Sequence, residues 1–277
     1  MKRIFQFAAA GLTTLVLTSA ASRGAAVLYA STFLENELLT FDVATGQATP
    51  AGTLGNTSPY GLAVRNGELY TFDPNLDRVR QIDPISGSIT GTPIDIGVGD
   101  RVGEGDIAFR ADGVGFLSSA LDGNTLAVTN DLFSFDLVNG TSTRIGTTRI
   151  GTEGITLDGL AFGPTGTLFA LGQGQGQLLT VDPATGAVTV VGDLGVPQDS
   201  PFGALTFSEN GTLYAAIDDA LYTVNTSTGM ATAVNADGTD FGSISGLAFV
   251  PVPEPASLAL IALGMVFCER RRRRSPM

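Results

Sequence analysis

Carboxylates are the side chains here with the most chemistry to offer. Asp100, Glu104, Asp106 and Asp158 lie in or just before segments that recur along the chain, so a repeating fold would gather them at one end of a shared axis. Clustered carboxylates suit Ca²⁺, a hard ion that takes about six to eight oxygen ligands. A pair held about 5 to 10 Å apart can instead act as acid and base in glycosyl chemistry. The plainer reading is a solvated acidic rim that keeps the protein soluble. Neither an EF-hand spacing nor a glycine-rich Ca²⁺ nonapeptide occurs. Sugar rings stack on aromatic faces, and Tyr60, Phe202 and Phe241 each stand just ahead of a recurring segment, where they could serve a glycan, as could Phe33. Core packing is the plainer reading for all four. The string Gly172-Gln173-Gly174-Gln175-Gly176-Gln177 has the glycine spacing of a nucleotide loop, but it precedes an expected strand and leaves no helix N-terminus for a phosphate. It reads as a flexible hairpin loop.

What is missing narrows the chemistry further. The 277 residues include no His, no Trp and a single Cys, Cys268. Without His there is no Ser-His-Asp or Cys-His arrangement, no His-ligated metal and no imidazole base. One Cys makes no internal disulfide, no thiolate metal cluster and no CxxC pair. The formal charge is −12, yet most of the basic residues crowd the two ends: residues 27–251 hold 25 acidic side chains against 7 Arg, a net of −18. Such a body repels phosphate backbones, which excludes nucleic acid as a partner.

These side chains need a regular frame, and the regularity is visible. A Gly-Leu-Ala-Phe type string recurs at residues 61–64, 106–109, 159–162, 204–207 and 246–249, at intervals of 45, 53, 45 and 42. A period near 45 with room for four strands is the signature of propeller blades. Every string but the last is followed by a turn pair and a short apolar strand, the pairs being Asn66-Gly67, Asp112-Gly113, Thr165-Gly166 and Asn210-Gly211. Asn-Gly and Asp-Gly supply the positive φ angles of two-residue hairpins, so the first two strands of each unit should be antiparallel neighbours. A second turn closes the third strand, as in Asp42-Val43-Ala44-Thr45-Gly46 and Asp182-Pro183-Ala184-Thr185-Gly186, where Asp accepts backbone N–H bonds and Gly takes the left-handed position. The first unit starts at Leu28-Tyr29-Ala30 with no leading string, and the last string, Gly246 to Phe249, has no unit after it. Each supplies what the other lacks. The expectation is an all-β, five-bladed propeller closed by pairing of its N- and C-terminal strands. An open stack or six blades is the alternative, because the 53-residue interval has room for an extra hairpin near residues 124–135. The Asp-x-x-Thr-Gly turns resemble those of quinoprotein and related bacterial propellers, but the Trp that ends a quinoprotein blade is missing, so that resemblance implies no cofactor here.

The two ends read as addresses. Met1-Lys2-Arg3, an apolar run from Ile4 to Leu17 and small residues through Ala21 follow the plan of a secretory signal peptide, with cleavage expected after Ala20, Ala21 or Ala26. At the far end Pro253-Glu254-Pro255 precedes an almost wholly apolar stretch from Ser257 to Cys268, then Glu269 and Arg270 to Arg274. As a helix this stretch spans about 18 Å against about 30 Å of hydrocarbon, a weak permanent anchor, and the Arg cluster should stay cytoplasmic. The Pro-Glu-Pro triplet, apolar segment and Arg run resemble the PEP-CTERM sorting signal. The resemblance implies a Gram-negative exported protein from a bacterium that makes extracellular polysaccharide. Its C-terminal transmembrane helix would be held briefly in the inner membrane, recognised by an exosortase-type processing enzyme, and the protein then released or attached outside. The expected domains are a signal peptide at 1–26, a propeller at 27–251 and a sorting signal at 252–277, the sorting residues being Pro253, Glu254, Pro255, Arg270, Arg271, Arg272, Arg273 and Arg274.

The resulting expectation is a secreted, non-enzymatic binding or structural protein of the cell surface or exopolysaccharide matrix, with polysaccharide or surface proteins as partners. One alternative is a carboxylate-based polysaccharide-active enzyme drawing acid and base from Asp106, Asp158 or Glu104. The other is a Ca²⁺-stabilised glycan-binding lectin, with Asp100, Glu104, Asp106 and Asp158 as ligands.

Overall fold

The computed structural model describes residues 26–55, 58–99, 102–122, 125–197, 203–218, 220–234 and 243–251. The expected signal helix and C-terminal helix lie outside these, and no helix among the described residues is long and apolar enough to cross a membrane. The strands follow the repeat. Blade one takes β1 (Ala26–Thr32), β2 (Glu37–Phe41) and β3 (Ala48–Thr53). Blade two is β4 (Tyr60–Arg65), β5 (Glu68–Asp73), β6 (Arg78–Ile82) and β7 (Ile89–Asp95). Blade three is β8 (Ile107–Phe109), β9 (Gly115–Leu121), β10 (Val128–Asp136) and β11 (Thr141–Thr147), followed by a small hairpin of β12 (Arg149–Ile150) and β13 (Glu153–Gly154). Blade four is β14 (Leu157–Phe162), β15 (Leu168–Gly172), β16 (Gln177–Val181) and β17 (Val188–Asp193). Blade five is β18 (Gly203–Phe207), β19 (Leu213–Ile217), β20 (Ala220–Val224) and β21 (Ala231–Ala233). The final strand, β22 (Ile244–Pro251), pairs with β1 and becomes the innermost strand of blade one.

The ring is therefore a five-bladed propeller of four-stranded sheets, closed by antiparallel pairing of Tyr29 with Ala248 and Ala30 with Leu247. The long third interval holds no sixth blade. Residues 128–135 belong to the β9–β10 hairpin, and the extra hairpin is β12–β13, beyond the blade's outer strand. The inner strands alternate a large and a small side chain. Leu62 packs with Tyr29, Leu38 and Ile82 toward blade one, whereas Ala63 packs with Phe72, Ile107 and Phe133 toward blade three. The same division recurs around the ring and gives five apolar clusters, one between each neighbouring pair of blades. Side chains of one strand point alternately to the two faces of its sheet, so each blade contributes to two of these interfaces.

Turns finish the blades. Asp42 Oδ1 accepts from the Ala44 N–H at 2.8 Å, Asp182 Oδ1 from the Ala184 N–H at 2.9 Å, and Asn225 Oδ1 from the Ser227 N–H at 2.9 Å, as the Asx reading requires. Turns of this kind also dock on the preceding blade: a Cβ on Gly52 would collide with the Ser86 carbonyl, and one on Gly192 with the Thr228 carbonyl. The hairpins between first and second strands differ from expectation. Only Asn66 and Gly67, with φ of 56° and 84°, place both central residues in the left-handed region. At Gly113, Gly166 and Gly211 the glycine alone is left-handed, and the loop is longer: the Gly163 N–H bonds Thr167 O at 2.8 Å around the Gly166 turn. Asp, Thr and Asn before those glycines keep negative φ, which carries no steric cost.

Closure gives a direct test. Leu247, 1% exposed on the closing strand, should cost about 2 to 5 kcal/mol of stability when changed to Ala. Val138→Ala, at a 77% exposed turn position, should stay within about 0.5 kcal/mol. Urea unfolding followed by circular dichroism measures both; equal effects would mean that β22 does not seal the ring.

Candidate functional site

The inner strands are in register around the axis. Ala63, Ala108, Ala161, Thr206 and Ala248 pair with Tyr70, Phe116, Phe169, Tyr214 and Tyr29 of the second strands. Three residues earlier on each inner segment stand Tyr60, Gly105, Asp158, Gly203 and Ser245, and these five line a cleft together with Glu104 and Gln173. Its volume is about 40 Å³. At about 10 to 15 Å³ per water-sized group, that is room for roughly three such groups below a mouth that opens to solvent. The cleft lies at the strand starts, the end of the axis shared with the variable loops after each second strand.

One position further in, four of the five inner segments carry a small residue: Gly61, Gly159, Ala204 and Gly246. A Cβ on Gly246 would collide with Leu62 N of the next inner strand. Blade three instead has Asp106, 1% exposed, wedged between β8 and β14. Its Oδ1 accepts from the Ile107 N–H of its own blade at 2.7 Å and its Oδ2 from the Leu160 N–H of blade four at 2.6 Å, so Oδ2 serves as an inter-blade latch. The Ser118 hydroxyl completes the joint, accepting from the Asp106 N–H at 2.9 Å and donating to Leu157 O at 3.2 Å.

Glu104 and Asp158 face the cleft from either side of this latch. Glu104 is an exposed residue with φ of 56°, a left-handed conformation that costs a non-glycine residue of order 1 kcal/mol and is held where surrounding structure demands it. The Ala120 N–H bonds Glu104 O at 2.9 Å, and the Glu104 backbone lies beside the Tyr60 hydroxyl. The Tyr60 ring stacks on Phe33 with centroids 5.3 Å apart and planes 6° from parallel. Ser245, 5% exposed, donates to Pro59 O at 2.8 Å and lies 3.2 Å from the Ser31 hydroxyl.

Burial dominates the electrostatics. Asp158 is 8% exposed, and desolvation, then the charges of Glu104 and Asp106, push its carboxyl up to about 9. Desolvation likewise raises Asp106 well above the carboxylate range, against the opposing pull of the Leu160 and Ile107 N–H groups. Other buried acids on the ring are matched by arginine: Asp73 bonds Arg80 at 2.7 Å, and Asp131 takes Arg144 through both oxygens at 2.7 and 2.5 Å.

Of the residues singled out by sequence, the fold brings Tyr60, Glu104, Asp106 and Asp158 to one end of the axis. Among the described residues, no group of three or more His, Cys, Asp and Glu side chains is arranged to hold a metal ion. Asp100, Phe202 and Phe241 lie outside the described residues, as do Pro253, Glu254, Pro255 and Arg270 to Arg274. Ser245 and Gln173 were missed. Ser245 stands at the same offset from its string as Tyr60 and Asp158, a signal present in the repeat; Gln173 lies in the glycine-rich loop read as flexible, where its N–H bonds Thr156 O at 3.0 Å.

Residues 251–274 match the PEP-CTERM protein-sorting motif. No curated protein matches the chain. Among solved structures the ring is similar to a gluconolactonase from Xanthomonas campestris, at 15% identity over 82% of this chain and 80% of that chain, with a TM-score of 0.53. It is also similar to a chain of the nidogen–laminin complex, at 15% identity over 82% of this chain and 98% of that one, with a TM-score of 0.50. At such identities the likeness is one of fold. The chain is a five-bladed β-propeller that carries a PEP-CTERM sorting motif, and that motif implies export, membrane-anchored sorting to the cell surface and processing by an exosortase. The expectation of a non-enzymatic protein is corrected, because the Xanthomonas relative is an enzyme built on this fold and the lack of His leaves carboxyl groups able to serve as acid and base.

The raised carboxyls set the sign of a pH effect. A carboxyl near 9 in the folded chain and near its ordinary value of about 4 when unfolded binds more protons in the folded state across that window, so stability falls as pH rises from about 4 to about 9. The turn carboxylates Asp83, Asp136 and Asp182, lowered by backbone N–H bonds, act only below that window. Urea unfolding between pH 5 and 8.5 should show stability declining by up to about 1.4 kcal/mol per pH unit for such a group, with Asp158→Asn flatter and more stable above pH 7. A wild-type stability that rises over this range would contradict the burial argument.

Proposed function

We propose that the signal at 1–26 exports the chain, the segment 252–277 holds it briefly in the inner membrane, and an exosortase-type enzyme processes it for display on the cell surface or in the extracellular matrix. There the propeller, 27–251, binds a small polar ligand in the axial cleft. One observation carries this reading: five blades each deliver one residue at a common register, and the cleft so formed holds Glu104 in a left-handed conformation beside the buried Asp158. Variable loops on a rigid frame are where binding is commonly built. The nidogen–laminin relative has a similar fold within a protein complex, and that bears on this chain only as a parallel.

A second reading rests on the Asp158 carboxyl alone. At about 9 it stays protonated at neutral pH, as a general acid must, with Glu104 placed beside it as base. The reaction would be carboxylate-based hydrolysis or elimination on a polysaccharide end or a smaller hydroxylated compound. That the Xanthomonas relative is a gluconolactonase lends the fold, not the substrate.

Thermal unfolding of the purified protein against panels of oligosaccharides, amines and divalent cations tests the first reading. A ligand at 100 times its Kd should stabilise by about 2.7 kcal/mol, and Glu104→Gln should remove the shift. In a hydrolysis assay on the same panels, Asp158→Asn should reduce any turnover by about 100-fold or more. Replacing Pro253-Glu254-Pro255 by alanines should leave the chain in the membrane fraction; unchanged release to the outside would count against the sorting part.

A further inference from the structure

Resting on the reading of the C-terminal segment as a sorting signal, we infer that the processing enzyme docks on the propeller itself, at the end of the axis opposite the cleft, against the outer turns of blades one, two and five. The matched motif starts at residue 251, which is also the last residue of β22. That residue is part of the ring: Pro251 stands opposite Ala26 in the β1–β22 ladder, one step after Val250 opposite Val27. Two residues of extended chain reach at most about 7 Å, so an enzyme that grips Pro253 works within that distance of Pro251. The sequence leaves no spacer that would let it stand clear of the folded domain.

Inner strands start at the cleft, so β22 ends at the far side of the ring. The Asx turns lie there too, because each third strand runs parallel to its inner strand: in blade one, β2 and β22 are both antiparallel to β1. Neighbouring strands are about 4.8 Å apart, which puts the end of β2 about 10 Å from β22. A standard interface covers about 800 Å² per partner, a disc roughly 16 Å in radius, so an enzyme seated on residues 253–255 overlies the turn at 42–46. Blades two and five flank blade one and share apolar clusters with it. On these three blades the turns expose Val43, Ile85 and Met230, with Ile85 at 87%. Their backbones are already fixed: Asp83 Oδ1 accepts from the Ile85 N–H at 2.9 Å, and the Asn225 N–H bonds Met230 O at 2.9 Å. A preorganised turn has little ordering left to lose on binding. Asp42 and Asp83 open two of these turns, in a segment with 25 acidic side chains against 7 Arg over residues 27–251. The partner surface that fits combines apolar side chains with Lys or Arg, whereas an anionic bilayer is repelled by the same field.

Pulse-chase release of the full chain from cells that make the enzyme tests the docking. Val43→Asp, Ile85→Asp and Met230→Asp, combined, should slow processing at least about fivefold with an unchanged melting temperature, while Val138→Asp and Leu126→Asp, both on blade three, should process at the wild-type rate. A flexible insertion of about ten residues between Val252 and Pro253 reaches up to about 33 Å and should slow release likewise, because the motif no longer leads the enzyme onto the ring. With Ile85→benzoylphenylalanine, irradiation should join the chain to the enzyme, and the adduct should vanish in a strain lacking that enzyme. Wild-type rates in both the triple variant and the insertion variant, with alanines at Pro253-Glu254-Pro255 still blocking release, overturn the docking and leave the sorting reading intact. Release that ignores those alanines overturns both. Adducts with lipid or with a second copy of this chain, in place of the enzyme, overturn the enzyme as the occupant of this face.

Discussion

Five inner strands meet on one axis, and how closely they can approach limits everything built around them. At the position two residues before each paired Ala or Thr, three strands carry Gly and one carries Ala, which lets the next blade's backbone come within contact. Asp106 breaks that rule between blades three and four and turns the added bulk into two hydrogen bonds, one to its own strand and one to Leu160. A side chain there without acceptors would leave the Leu160 N–H buried and unmet, a loss of order 1 to 3 kcal/mol. The candidate site opens directly above this departure from symmetry. A perfect five-fold ring would present five equal walls; this one presents carboxyls from blades three and four and a phenol from blade two.

The chain handles its acids in three distinct ways. In the outer turns, exposed Asp83, Asp136 and Asp182 accept local N–H bonds and are held below the usual carboxylate range. Along the second and third strands, Asp73 and Asp131 are buried against arginines, arrangements that fix geometry more surely than they add stability, because desolving both ions offsets much of their attraction. At the axis, Asp106 and Asp158 are raised by burial instead. Asp158, pushed up to about 9, keeps its proton near neutrality, and it borders the cleft. Where a protein tolerates carboxyls that would rather be uncharged, stability has been set against another demand, and that demand commonly is ligand binding or chemistry.

Much of the architecture was legible from spacing. The five strings, the Asx turns and the orphaned first and last segments predicted blade number and closure, because each is a local pattern repeated with small variation. Hairpin form was less legible: Asp112-Gly113 has the composition of a two-residue turn, yet only its Gly adopts positive φ, since strand register at both ends selects loop length. The sorting motif was legible because its three parts are contiguous. The absence of His suggested that catalysis was missing, a step too far when burial can give a carboxyl the proton affinity that imidazole has in water.

By itself the sequence determined the repeat, the acidic body, the C-terminal sorting motif and which residues stand at equivalent places in each blade, all properties of near neighbours along the chain. Only the tertiary structure decided which equivalent places meet. Glu104, Asp158, Gln173 and Ser245 are up to 141 residues apart, and nothing in their local spacing says that one cleft joins them. Ring closure does so, because converging strands bring one position from every blade to the axis and remove the water that would otherwise keep the Asp158 carboxyl ordinary.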